Sequence, residues 1–195
     1  EKIYLTAGLS AYAHTSHNYR LMSDLLGGDF WVDVDQFAER DFANDSVAQN
    51  DLSTTNKLIR AGDKFGYDYN IHNNKAKLFG QVDFKSKKVD AYAGLTTSYT
   101  SFWRTGNVQN GRFPEESIGD SEKNNFFNYG IKAGAVYKVT GRHLITGNLA
   151  YLTRAPYSRN AFISPRTRDQ IIDSLQSTKI MSGDLSYVVR YPKLK

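Results

Sequence analysis

Hydrophobic and polar residues alternate one for one along several long stretches of this chain. The cleanest run lies between Phe127 and Lys138. Phe127, Tyr129, Ile131, Ala133, Ala135 and Tyr137 take one set of positions, and Asn128, Gly130, Lys132, Gly134, Val136 and Lys138 the other. Successive side chains on a strand point to opposite faces. The run therefore predicts a strand with one apolar, aromatic face and one polar, cationic face, longer than the ~5–6 residues of an average strand. A tight turn at Val139-Thr140-Gly141-Arg142 leads into a second strand that ends near Pro156. There Ile145, Leu149 and Tyr151 share a face with His143 and Gly147.

The same alternation predicts four further strands. The first covers residues 2–14, with Ile3, Leu5, Ala7, Leu9, Ala11 and Ala13 on its apolar face. The second covers Asp68–Lys85, with Ala76, Leu78, Gly80, Val82 and Phe84 together. A Lys-Ser-Lys-Lys turn joins it to a strand over Lys88–Arg104, where Val89, Ala91, Ala93, Leu95, Thr97 and Tyr99 face one way and Tyr92 lies among the polar positions. The last covers Thr178–Tyr191, with Met181, Leu185, Tyr187, Val189 and Tyr191 on the apolar side. Residues 15–65, 105–122 and 157–176 lack long alternation and read as loops. Helical turns are predicted at Asp35–Phe42 and Asp169–Leu175.

Connections thus run long, short, long, short, long. In an antiparallel meander every second connection lies at the same end, so three long loops share one end and two tight turns the other. The predicted class is all-β: an antiparallel up-and-down meander of about six long strands with short helical turns in its loops. Long extracellular loops opposite short periplasmic turns are the plan of outer-membrane barrels, whose smallest bacterial members have eight strands. Six strands leave two open edges, which lipid does not tolerate. On this reading the chain is part of a larger transmembrane β-barrel. The strands exceed the ~9–11 residues needed to cross a bilayer. Phe84, Tyr92 and Tyr137 toward the turns and Trp103, Phe127, Tyr129 and Tyr151 toward the loops suit interfacial aromatic girdles. A soluble β-sandwich whose aromatics fill a core is the competing reading of the same periodicity.

Composition narrows this picture. The 195 residues include 15 Gly, 13 Tyr and 11 Phe, and mean hydropathy is −0.53. No run of ~18 apolar residues exists to form a membrane helix, but alternating strands average out as hydrophilic. The absence of cysteine excludes disulfides and thiolate metal sites. A net charge of +5 raises the question of nucleic acid. The basic residues are scattered, however, with no run of five like charges, and no nucleic-acid partner is expected. The chain begins in a strand, at Lys2-Ile3-Tyr4-Leu5, with no signal segment. The expectation is a removed signal or an internal piece of a longer chain.

An ordered series of short segments resembles the barrel region of TonB-dependent outer-membrane receptors, of the Bacteroidetes type that carries a carboxypeptidase-regulatory-like domain. The segments are Asp24-Leu25-Leu26-Gly27-Gly28, Asp35-Gln36-Phe37-Ala38-Glu39-Arg40-Asp41, Gly62-Asp63-Lys64-Phe65-Gly66-Tyr67-Asp68-Tyr69, Phe102-Trp103-Arg104 and Asn110-Gly111-Arg112-Phe113-Pro114. Further segments are Asn128-Tyr129-Gly130-Ile131-Lys132-Ala133-Gly134, Gly141-Arg142-His143, Thr153-Arg154-Ala155-Pro156 and the stretch from Asn160 to Arg168. The resemblance implies that residues 1–195 form part of such a barrel, without plug or signal peptide. It implies energy-coupled uptake of a scarce, bulky extracellular ligand across the outer membrane of a Gram-negative bacterium. The implied partners are outer-membrane lipid, the rest of the barrel and its plug, and the TonB complex acting through the plug. An unplugged outer-membrane barrel and a soluble β-sheet ligand-binding domain stay open as alternatives.

Candidate chemistry is sparse. Asp29, Asp33, Asp35, Glu39 and Asp41 cluster in the first loop, but their spacing matches no EF-hand. His14, His17, His72 and His143 form no metal-ligand pattern, and no nucleophile elbow, zinc-protease or phosphate-loop motif occurs. No enzyme activity, cofactor or metal is predicted. The candidate ligand-binding residues, all on the loop side, are Trp31 and Trp103 for stacking and Arg104, Arg166 and Arg168 for an anionic group. Lys132 and Arg154 are placed toward the lumen, pairing with carboxylates or with a plug.

Overall fold

A computed structural model describes residues 1–191. Its elements in chain order are β1 (Lys2–Leu21), β2 (Trp31–Val32), α1 (Gln36–Asp41), α2 (Asp45–Ala48), β3 (Leu58–Ile59), β4 (Lys64–Lys85) and β5 (Val89–Gly106). They continue with α3 (Pro114–Ser117), β6 (Gly119–Asp120), β7 (Asn124–Lys138), β8 (His143–Arg154), α4 (Ser158–Ala161) and β9 (Thr178–Val189). The long strands pair antiparallel in the order β1-β4-β5-β7-β8-β9, which is a meander, and β6 adds a short pairing to β5. β2 and β3 form a separate two-stranded ribbon within the first loop. Among the described residues β1 and β9 do not pair with each other, so the sheet is open, with an edge on either side.

Register divides the sheet into two faces. One cross-strand row runs Ala7, Gly80, Leu95, Ile131, Tyr151, Met181, and the row beside it runs Leu5, Val82, Ala93, Ala133, Leu149, Gly183. These rows are apolar throughout. They are also open to solvent: Leu5 is 79% and Met181 82% exposed. The alternate rows are polar, as in Thr6, Gln81, Gly94, Lys132, Ala150, Ser182.

The largest buried side chains lie at the loop end, on the polar face. Phe102 is fully buried against Ala161 and Phe162, with Ile71, Phe126, Ile171 and Leu175 around them. Phe126 stacks on Phe102, and Phe162 meets it edge-on. The loops therefore fold over the sheet and close a small core of their own. Backbone bonds stitch them together: Leu52 N donates to Gln109 O, Gly111 N to Gln49 O, and Asp169 N to Glu116 O.

Several boundaries differ from the sequence reading. β1 runs to Leu21 and not to 14, because residues 15–21 are polar on both sides yet continue to pair with β4. His72 explains part of this, with its two ring nitrogens each 3.0 Å from a hydroxyl, Thr15 Oγ1 and Thr105 Oγ1. β4 starts at Lys64, four residues before the predicted Asp68, after a register shift at Tyr19/Arg20. The helical turn predicted at Asp169–Leu175 is absent. Ile171 instead bridges Phe162 in antiparallel fashion, and the third loop's helix is α4. Packing onto Phe102 overrides the helix-like spacing of Ile171 and Leu175. The helix predicted at Asp35–Phe42 is present as α1, with Asp35 Oδ1 accepting from Phe37 N and Ala38 N. Tyr92 is not part of a girdle. It lies on the polar face, where its hydroxyl donates to Asn148 Oδ1 and the Lys132 ammonium approaches its ring.

Gly111 shows how tightly the loops meet. A Cβ there would lie 1.9 Å from Ser46 O, a backbone atom. Gly111→Ala is expected to separate the first and second loops and speed their cleavage by a protease at least several-fold. Gly80→Ala, whose Cβ would meet nothing within 4 Å, should leave the cleavage rate unchanged.

Candidate functional site

The first and third loops and the ends of β1 and β4 line an open cavity of about 290 Å³ on the polar-face side. Arg20 of β1, Phe65 and Tyr67 of β4, Trp31 of β2, and Asp33, Asp35 and Phe37 beside it all line this space. The third loop contributes Arg166 and Thr167. Of the sequence-derived candidates, Trp31 and Arg166 are brought together here.

Local structure fixes each group. The Arg20 guanidinium carbon lies 5.1 Å from the Phe65 ring centre and 5.5 Å from that of Tyr67. The Arg166 guanidinium approaches the same Tyr67 ring to 5.0 Å. Two cations thus share one aromatic ring, and among the described residues neither forms an ion pair. Gly66 between the aromatics has φ +77, and Arg20 Nη1 would lie 3.5 Å from a Cβ there. A side chain at 66 would strain the backbone at this positive φ, while its Cβ would only touch Arg20. Asp33 is buried. Its carboxylate accepts from Asn50 Nδ2 at 2.8 Å and from Gly66 N at 2.9 Å, which joins the first loop to β4.

The remaining candidates have other work. Arg104 is 1% exposed. Its Nε donates to Pro165 O at 2.7 Å, its Nη1 to Ser117 O at 2.8 Å, and its guanidinium lies over the Tyr69 ring. Burial pushes its pKa below the ordinary arginine value, opposed by Asp169 and Tyr69; arginine stays charged across the accessible pH range. Arg104 therefore ties the second and third loops to the sheet and is not free to meet a ligand. Arg168 lies over Phe113, 4.4 Å from its ring centre, with Glu116 Oε2 at 3.8 Å from Nη1. It binds the third loop to the second. Trp103 stacks on His72 at 4.7 Å, with the Lys123 ammonium over its ring, on the face opposite the cavity.

The sequence reading missed Arg20, Phe65 and Tyr67. Arg20 fell in a stretch read as loop. The signal that could have found it is the Phe65-Gly66-Tyr67 pattern, an aromatic pair flanking a glycine that leaves space for a cation. What the cavity offers chemically is stacking on Trp31 and charge-assisted hydrogen bonds from Arg20 and Arg166. Among the described residues no group of three His, Cys, Asp or Glu side chains converges as metal ligands would.

A second cluster sits nearby on the outer face. Asp68 accepts from Lys64 Nζ at 2.7 Å and Asn107 Nδ2 at 2.7 Å, and lies 2.6 Å from His17 Nε2. Burial pushes the Asp68 carboxyl upward, but hydrogen bonds from Lys64, Asn107 and His17 outweigh it and hold the pKa below its ordinary value. The stabilisation is therefore present above the unfolded value of about 3.9 and is lost as pH falls through the lower folded value.

Thermal unfolding followed from pH 5 down to about pH 2 should show an acid-induced fall in Tm that is shallower in Asp68→Asn. Arg104→Ala, which strips two carbonyls of a charged donor, should cost about 2–4 kcal/mol in denaturant unfolding. Arg166→Ala should stay within about 0.5 kcal/mol. Comparison with known proteins gives no match to a family model, to a curated protein or to a solved structure.

Proposed function

We propose that this chain is a wall segment of a TonB-dependent outer-membrane receptor, contributing to energy-coupled uptake of a scarce, bulky ligand in a Gram-negative bacterium. The observation that carries the membrane part is the exposed apolar band. On β1 the band extends from Ile3 to Ala13, and on the same face it gives way to Thr15 and His17. In register with these lie His72, Trp103 and the Asp68 cluster. Ten rises of ~3.3 Å make about 33 Å of strand. At a tilt of ~40° that is about 25 Å, the height of the apolar band on an outer-membrane barrel. A soluble sheet gains nothing by exposing a belt of that height across six strands, whereas lipid matches it.

Two edges that need pairing suit a chain whose neighbouring strands belong to the same barrel. The loop-end cavity, with Trp31, Arg20 and Arg166, would face the cell exterior, and the tight turns at residues 86–88 and 139–142 the periplasm. Energy coupling, the plug and the TonB complex rest on the resemblance of the ordered sequence segments alone.

The test uses the row nearest the middle of the band. In the intact protein, Leu95→Arg or Ile131→Arg should weaken membrane assembly by about 2–4 kcal/mol, read as loss of protease-resistant protein in the outer-membrane fraction. Thr96→Arg and Gly130→Arg, on the polar face, should assemble better. Equal damage on both faces would favour the soluble β-sheet domain instead. Normal assembly without uptake loss on removing the energy-transducing complex would favour an unplugged barrel.

A further inference from the structure

Below the loop core, the polar face carries a recess that the loop-end cavity does not use. Lys77, Ser98 and Asn128 lie in one cross-strand row, with Lys75 and Thr100 paired in the next. A cavity of about 300 Å³ is lined by Lys75, Lys77, Ser98, Asn128, Lys132 and Arg154. A neighbouring cavity of about 350 Å³ shares Lys75 and Arg154. Four cations therefore border one space. Among the described residues none of the four forms an ion pair. The acids of the same face, Asp83, Asp90 and Asp184, lie toward the turns and are already bonded to Gln81, Lys138 and Asn148. Lys77 and Lys132 rest against the rings of Phe79 and Tyr92, and Arg154 lies over the Tyr157 ring with its Nη1 donating to the Tyr157 hydroxyl at 3.4 Å.

Asn128 indicates what kind of group would complete the recess. It is 2% exposed, and among the described residues neither Nδ2 nor Oδ1 has a hydrogen-bond partner. Buried amides are nearly always bonded, so an orphan amide in a cation-lined recess marks a missing partner. Nδ2 needs an acceptor and Oδ1 needs a donor. A fully deprotonated anion such as sulfate supplies only the acceptor, whereas an anion that also carries hydroxyl groups supplies both.

We propose that this recess is a binding site for a hydroxylated oxyanion, such as an acidic sugar or a sugar phosphate. Its carboxylate or phosphate sits among Lys75, Lys77, Lys132 and Arg154, and a hydroxyl donates to Asn128 Oδ1. The site needs the polar face of the sheet to be uncovered at this level, and on that condition it stands whether the opposite face meets lipid or water.

Lysine acetylation of the intact protein, read residue by residue by mass spectrometry, tests this. The probes are glucuronate, glucose 6-phosphate, inorganic sulfate and glucose, each at the ionic strength of a sodium chloride control. Glucuronate or glucose 6-phosphate should slow modification of Lys75 and Lys77 at least about threefold and leave Lys2 and Lys87 unchanged. The stronger of the two identifies the charged group. Asn128→Ala should reduce protection by the hydroxylated probe to that given by inorganic sulfate. If that variant does not assemble, Lys77→Gln should weaken the protection read at Lys75 and Lys132. Equal protection by inorganic sulfate and both hydroxylated probes in the unaltered protein would mean an adventitious ion only and would overturn the proposal. So would no protection, or carbodiimide coupling of Lys75 or Lys77 to an acidic protein segment, which would make that segment the occupant.

Discussion

Cross-strand register is the constraint on which every face of this molecule depends. From Lys2/Lys85 to Tyr19/Asp68, β1 and β4 pair without a slip, and β5, β7, β8 and β9 extend the same rows. The side-chain period of a strand is two, so a shift of one residue would move every apolar side chain to the other face. Register is strongly specified only where the two faces meet different surroundings. Here the apolar rows are continuous across the sheet, which shows the specification to be strong. The tight turns set it locally: Ser86 N donates to Val89 O in one, and Thr140 N to His143 O in the other.

The bulge at Tyr19/Arg20 is where this regularity stops, and the loop-end cavity begins there. The shift occurs just where Arg20 comes to lie over Phe65 and Tyr67. Bulges commonly re-aim a side chain in this manner. Below that level the sheet is a regular two-faced wall. Above it, loop residues take over the packing, with Phe102 as the point where sheet and loops meet.

The strands were legible in the sequence wherever one face is apolar, as at Ile3–Ala13 and Phe127–Tyr137, because alternation is then visible. Residues 15–21 were not legible, since both faces there are polar and the pairing shows only through partners such as His72 and Asp68. The loop core was hidden for a different reason: Phe102, Ala161 and Phe162 are distant in sequence, and no local pattern links them. The arginines were the most ambiguous. Arg104, Arg166 and Arg168 look alike in sequence, yet one is a buried tie, one lines the cavity and one clamps two loops. Burial and the number of carbonyls within reach separate them, and neither is written in the residue type.

The two unpaired edges have a further consequence. β1 offers a row of free N–H and C=O groups twenty residues long, and β9 offers one of twelve. Edges of that length, flanked by an exposed apolar face, are templates for strand addition. A solution of the chain by itself would lower its free energy by stacking copies edge to edge, and cross-β assemblies would compete directly with the meander. In the proposed receptor, insertion beside partner strands would do two things at once: complete the wall, and remove the surface on which the chain would otherwise polymerise.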